Sequence, residues 1–574
     1  MSTAVIRRIG GPVLSARTSD EFHVGEAIEV GVDRRPGEVI RLNGDELTGQ
    51  VYEDTTGLRP GDPVYGTGAA LSVRLGPGLL GRIFDGLLRP LDAPHEAGEA
   101  PIGFRPLVKT GAPLAPGAAF GELPGDGIRQ LCLVPPGIGG AVETIVSEGA
   151  YDPQALLCKI RDAAGAIHEI GFFQRWPIRQ ARPVRERLPA DAPMITGQRI
   201  LDTLFPVARG GQAAIPGGFG TGKTVLLETL AKWCDADVIV YVGCGERGNE
   251  MAEVLREFPK LTDPRTGRGL MERTVIIANT SNKPVAAREA SIYTGVTVGE
   301  YFRDQGLHVA LMADSTSRWA EALREVSGRL GELPGEAAYP AYLGSRLAEF
   351  YERAAKVKTL GGADASLTII GAVSPPAGDF SEPVTSNTKR YVRSFWGLDR
   401  ERAQARFYPA IHPLQSYTEN AVRFAAWWTE RGNPEWYAQR KRLLSLLEAQ
   451  ADLERMARIV GKDALPPTQQ LTLLCADLAN EAFLRQSAFS EVDRYCSSPR
   501  QIAMLKVLTR FVALAEAALQ RGVALGTIVE LPLLRRLQRM GEEIGEDQLQ
   551  KFGELGVSLE AAMAGLGKAD SHAA

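Results

Sequence analysis

Long apolar runs are absent from this 574-residue chain; none approaches the ~20 residues needed to cross a bilayer. That excludes a membrane-spanning helix. The start, Met1 to Arg8, has no apolar signal stretch either. The chain is therefore expected in the cytosol, or at a membrane only through partners. An excess of charge of one sign is also missing. Lys and Arg number 65 against 69 Asp and Glu, a formal net charge of −4. A nucleic-acid binder more often shows a basic balance or a basic stripe. Cysteine is sparse. Cys132, Cys158, Cys234, Cys244, Cys475 and Cys496 form no C-x-x-C pair, which excludes a disulfide framework and a Cys-based metal site. The six histidines, His23, His95, His168, His308, His412 and His572, are equally scattered. All twelve read as packing or surface. What remains is a globular composition, 44% hydrophobic and 23% charged, long enough for about three to four domains.

The pattern along the chain divides it. Residues 1–75 read as short strands. Ile28, Val30 and Val32 fall on one face, and Asn43-Gly44 marks a hairpin between 39–42 and 47–52. That spacing predicts a small N-terminal β-barrel. Residues 76–97 read as a linker. Residues 98–185 read as a second small β module, with runs at 130–134 and 141–146. From 186 to 435, strand and helix signals alternate, with strands at 238–242, 274–278, 309–313 and 367–372. This predicts a mostly parallel α/β sheet. Residues 436–574 read as a helical domain. Leu443, Leu446, Leu447, Leu453, Met456 and Val460 mark one apolar face, Pro466-Pro467 breaks the pattern, and Ile502 to Ala518 is a further amphipathic stretch. Lys568 to Ala574 read as a loose tail.

The residues with the clearest chemistry are Gly217, Gly218, Phe219, Gly220, Thr221, Gly222, Lys223 and Thr224. They fit the phosphate-binding pattern G-x-x-x-x-G-K-[ST]. A glycine-rich turn lets backbone N–H groups point inward at phosphate oxygens, and the helix that follows adds its positive end. Lys223 would reach the β- and γ-phosphates, and the Thr224 hydroxyl would ligate Mg2+. The context fits: an apolar strand at 213–215 before the loop, a helical pattern at 225–233 after it.

Hydrolysis needs more than a phosphate loop. The strand 309–313 runs into Asp314, whose carboxylate could hold magnesium through water. Taken alone, Asp314 has a second, less frequent reading as a cap for the next helix. The strand 238–242 leads to Glu246 and Arg247. Glu246 is the candidate for polarising the attacking water. A solvated loop is the commoner fate of such a Glu-Arg pair, and only the company of the phosphate loop and Asp314 reverses that expectation.

Long ordered blocks then show a family. Residues 195–202, 215–224, 243–251, 281–291, 312–321, 372–376, 379–385, 488–489, 492–493 and 495–496 resemble the catalytic A subunits of V-type and archaeal A-type rotary ATPases, bacterial alpha chains included. The resemblance runs over nearly the whole length. It implies a P-loop NTPase core of the RecA-like kind, flanked by the N-terminal β-barrel, the inserted β module and the C-terminal helical domain. It implies ATP or ADP and Mg2+ as ligands. It assigns Lys223 to the γ-phosphate, Thr224 and Asp314 to magnesium, Glu246 to water activation, and Arg247 to the position beside it. Tyr408 and Phe489 match positions that stack on adenine. Partners implied are B subunits in an alternating three-plus-three ring that supply an arginine finger, a central shaft, a peripheral stalk and, indirectly, a membrane ion-translocating sector. Nucleic acid is not among them. The expected location is the cytoplasmic face of a membrane.

The chain departs from that family at four places. Thr221 stands where many members have Cys, and Gly218 where Pro or Ala is frequent. The insertion is shorter around His95 to Val108, and His412-Pro413 replaces a frequent Asn-Trp. Two other machines share such a core. A flagellar or type III export ATPase would lack the module at 98–185. A nucleic-acid translocase would need basic and stacking residues at its N-terminus, yet residues 1–75 hold one Phe and two Tyr.

Overall fold

A computed structural model describes residues 2–91, 100–263 and 266–566. Residues His95 to Glu99, at the start of the stretch expected to be shorter than in the family, and the tail Lys568 to Ala574 lie outside them. The chain divides into two compact units. The first comprises Met1–Ala190, Arg209–Ala214 and Ala236–Val392; the second comprises Asp191–Ala208, Ile215–Asp235 and Arg393–Ala574.

The first unit opens with a closed six-stranded barrel over Thr3–Gly10, Val13–Thr18, Glu26–Val30, Arg35–Asn43, Glu46–Val51 and Pro63–Ala70. Alternation puts Ile6, Leu14, Ile28, Val30, Val39, Leu47 and Val64 inside it. The hairpin at Asn43-Gly44 forms with Asn43 opposite Glu46 and Gly44 at φ 61°. Val32 does not share the face of Ile28 and Val30. The strand ends at Val30, Gly31 turns the chain at φ 75°, and Val32 is 86% exposed.

Residues 102–171 make two four-stranded sheets, packed around Phe104, Phe120, Val134 and Ile160. The stretch expected as a linker contributes to the core sheet. Ile83–Phe84 pairs in parallel with Thr274–Thr280, because two apolar residues between turns suffice to extend a buried sheet edge. The other parallel strands are Val238–Glu246, His308–Asp314 and Asp364–Val373, nearly all buried. Val238–Glu246 lies between Thr274–Thr280 on one side and His308–Asp314 on the other. The chain order reverses at that strand, which makes its C-terminal end a topological switch point.

The second unit holds the phosphate loop, its helix Lys223–Trp233, and the helical C-terminal domain. There Trp436–Val460, Pro467–Ala479, Ser498–Gln520 and Gln550–Gly565 are the longer helices. The face marked by Leu443, Leu446, Leu447 and Leu453 is buried, but Met456 and Val460 are not. A small cluster of Leu453, Ala457, Leu465 and Leu473 covers that end of the helix, and Met456, Ile459 and Val460 stay in solvent beyond it. All six cysteines are buried, as packing residues should be. Among the described residues no helix is long and apolar enough to cross a membrane.

Candidate functional site

Each unit carries its own set of candidate residues. The strand Gln212–Pro216 runs into the loop 217–222, which lies in the second unit. Three features fix the loop. A Cβ built on Gly217 would stand 2.6 Å from Thr221 Oγ1 and 2.9 Å from Leu398 Cβ, so only glycine fits. Gly220 and Gly222 sit at φ 79° and 84°, a region costly for other residues. The Thr221 hydroxyl donates to the Gly218 carbonyl at 2.8 Å. Lys223 and Thr224 are the first two residues of the helix Lys223–Trp233, where backbone N–H groups have no helical acceptor. Phe219 points outward and is 89% exposed.

Beside this loop is a cavity of about 430 Å³, lined by Gly220, Thr221, Gly222, Tyr408, Gln486 and Phe489 among others. The Tyr408 hydroxyl donates to the Ala403 carbonyl at 3.3 Å, which anchors its ring near Gly222. Phe489 is 94% exposed, a large apolar side chain left almost wholly in solvent at the mouth of the cavity. The structure thus brings two aromatic positions, far apart in the sequence, to the wall of the phosphate loop. The sequence reading missed the polar members of this wall. Gln486 and Ser487 carry no local pattern, and only the fold places them here.

In the first unit Asp314 and Glu246 end adjacent parallel strands, with Gly243 opposite Asp314. Asp314 is buried, and the Tyr241 hydroxyl donates to its Oδ2 at 3.2 Å. It does not cap the next helix: the cap residue of Thr316–Arg329 is Ser315. Ahead of Glu246 the strand pairing slips by one residue, leaving Gly245 as a bulge at φ 72°. The extra residue breaks the alternation that would otherwise put Glu246 on the face of buried Cys244. Burial pushes the Cys244 thiol up to about 12, and its Sγ donates to the Arg288 carbonyl. Glu246 emerges half-buried, and Arg247, exposed, caps the helix Gly248–Glu257. Carboxylates at the C-terminal ends of parallel strands, beside a switch point, stand where open α/β sheets bind ligands.

Comparison with known proteins follows the same lines. Four family models match in chain order. The ATP synthase alpha/beta family beta-barrel domain matches residues 6–68, the barrel-sandwich domain of the same family 99–179, the nucleotide-binding domain 197–418, and the C-terminal domain of V and A type ATP synthase 425–526. The A subunit of the A-type ATP synthase of Thermococcus onnurineus is 50% identical over 553 residues, 93% of this chain and 94% of that protein. Its counterpart of the same name from Methanopyrus kandleri is 50% identical over 568 residues, 96% of each. The V-type ATP synthase alpha chain of Halothermothrix orenii is 49% identical over 569 residues, again 96% of each.

The chain belongs to the family of A-type and V-type ATP synthase A subunits.

Among solved structures it is similar in fold to the assembled ATPase EscN of the enteropathogenic E. coli type III secretion system. The TM-score is 0.66 at 23% identity, covering 88% of this chain and 99% of that one. The hydroxyl of Thr221 holds the carbonyl of Gly218, so the two positions expected to depart from the family restrain one another.

Proposed function

We propose that this chain is the catalytic, ATP-hydrolysing and ATP-synthesising component of a V/A-type rotary ATPase. Its turnover is coupled to the movement of protons or sodium ions across a membrane. The observation that carries this reading is the cavity in which the Gly220–Gly222 turn shares a wall with Tyr408 and Phe489. Phosphate donors and stacking rings stand together there, as a nucleoside triphosphate requires.

The residues take the following roles. Backbone N–H groups of 217–222 hold phosphate oxygens, and Lys223 offsets the γ-phosphate charge. Tyr408 and Phe489 sandwich the base. Glu246 orients and polarises the attacking water, and Arg247 holds its neighbourhood. Thr224 and Asp314 offer oxygen donors only, which suits Mg2+; no cluster of three or more His, Cys, Asp or Glu forms a separate metal site among the described residues. When bound with nucleotide, magnesium neutralises charge on the β- and γ-phosphates. Three copies alternate with three B subunits, each of which donates an arginine finger. Nucleotide-driven closure moves the C-terminal helices and pushes a central shaft, with a peripheral stalk as the stator. The chain works at the cytoplasmic face of the membrane, held there by its partners.

Binding separates the loop from the base. In a MgATP titration of the full chain, Lys223→Ala should weaken binding by roughly ten- to hundredfold, the worth of a charged hydrogen bond. Glu246→Gln should bind as the parent does. Equal affinity in all three would contradict the assignment of the loop.

A further inference from the structure

Residues 485–489 line one wall of the cavity, and the segment 483–493 that carries them has little regular structure of its own. Its helix ends at Leu484, and the next begins only at Ser498. Something must hold it. The answer is a buried arginine in another part of the second unit. Arg199 is 1% exposed and its guanidinium reaches into this segment at three points. Its Nε donates to the Phe483 carbonyl at 2.6 Å, its Nη2 to the Arg485 carbonyl at 2.5 Å, and its Nη1 to Asp493 Oδ1 at 2.5 Å. The other oxygen of Asp493 accepts the Ser487 amide at 3.0 Å. The Arg199 backbone N–H donates to Gln486 Oε1 at 2.9 Å. Gln486 in turn donates its backbone N–H to the Tyr408 carbonyl at 2.8 Å and its Nε2 to the Gly197 carbonyl, also at 2.8 Å.

Arg199 is itself held in place. Asp202, a few residues on, accepts from the Thr196 amide and hydroxyl, the Gly197 amide and Gln501 Nε2. That fixes the turn leading into Arg199. Gly197 sits at φ 74°, and a Cβ there would stand 2.4 Å from the Tyr495 ring. Burial is the largest single effect on Arg199 and works against its charge, but the Asp493 carboxylate and the Cys496 side chain together hold the pKa of the guanidinium above its ordinary value.

We infer that Arg199 and Asp493 are positioning residues for the nucleotide base: they clamp 483–493 so that Phe489 is held on the same cavity as Tyr408. Neither touches the base. The planar fork of arginine is what the three acceptors require; a lysine supplies the charge without the geometry. The inference rests on the reading of this cavity as the base site.

The test uses the full chain and two probes, MgATP and inorganic tripolyphosphate, which has no base. Arg199→Lys and the isosteric Asp493→Asn are titrated with each. MgATP affinity should fall about tenfold, the scale of a weakened base–aromatic stack. Tripolyphosphate affinity should move less than about twofold. In the assembled complex, KM for MgATP should rise by the same factor with kcat held. Equal weakening of both probes, or no change in either, would overturn the inference, since a merely structural role would do one or the other. Tyr408→Ala and Phe489→Ala serve as the reference. If they leave the ratio of the two affinities unchanged, the base-site reading itself fails. If they shift it and the Arg199 and Asp493 variants do not, only the clamp is wrong.

Discussion

Gly217 shows what one missing side chain does. Its neighbours Thr221 Oγ1 and Leu398 Cβ stand where a methyl group would go. Gly217→Ala should therefore displace the phosphate loop at a cost of about 1–3 kcal/mol. A thermal melt together with a MgATP titration checks this: the variant should melt lower and bind more weakly. A variant with parental melting and affinity would show the loop to be looser than its contacts imply. The loop residues were legible in the sequence because they are contiguous and their chemistry is local. Lys223 and Thr224 follow a strand and open a helix, as the pattern demands. Glu246 and Asp314 were legible as strand-end carboxylates. What could not be read there was the bulge at Gly245 that turns Glu246 away from the face of Cys244. The clamp was out of reach for a different reason. Arg199 and Asp493 are 294 residues apart, and an arginine among Thr196, Gly197, Gln198 and Asp202 reads as an ordinary polar stretch that gives no sign of burial or of a distant partner.

Elements were more readable than their ends. The core strands are each centred on a short apolar run, and these runs declare themselves without help from the rest of the chain. The misjudged positions all lie where an element stops. Val32 follows a glycine turn, and Met456 and Val460 lie on the last turns of a long helix. Periodicity records a face but not how far a neighbour covers it. Ile83–Phe84 was missed because a two-residue strand has no period at all. The helix Ser498–Gln520 packs a long apolar face into the C-terminal domain, with Leu505, Leu508, Phe511, Val512 and Ala515 inside. Phe511→Ala should remove about 3–5 kcal/mol from that domain. Denaturant unfolding followed by far-UV circular dichroism should show an earlier transition for the helical signal. An unchanged midpoint would mean that the cavity collapses around the missing ring.

At the scale of the molecule, the similarity to A-type and V-type relatives over 93–96% of the chain carries family membership. The likeness to the export ATPase EscN carries the fold alone. The proposed function therefore turns on whether this chain hydrolyses ATP through Glu246 within a rotary assembly. The most direct measurement is MgATP turnover of the complex purified from its native cell through a tag on this chain, beside the same complex carrying Glu246→Gln. A general base contributes about 10²–10⁴-fold, so turnover should fall by at least that much, with stalk proteins and a B-like partner co-purifying in both. Turnover indifferent to Glu246, or co-purification with export components in place of stalk proteins, would contradict it.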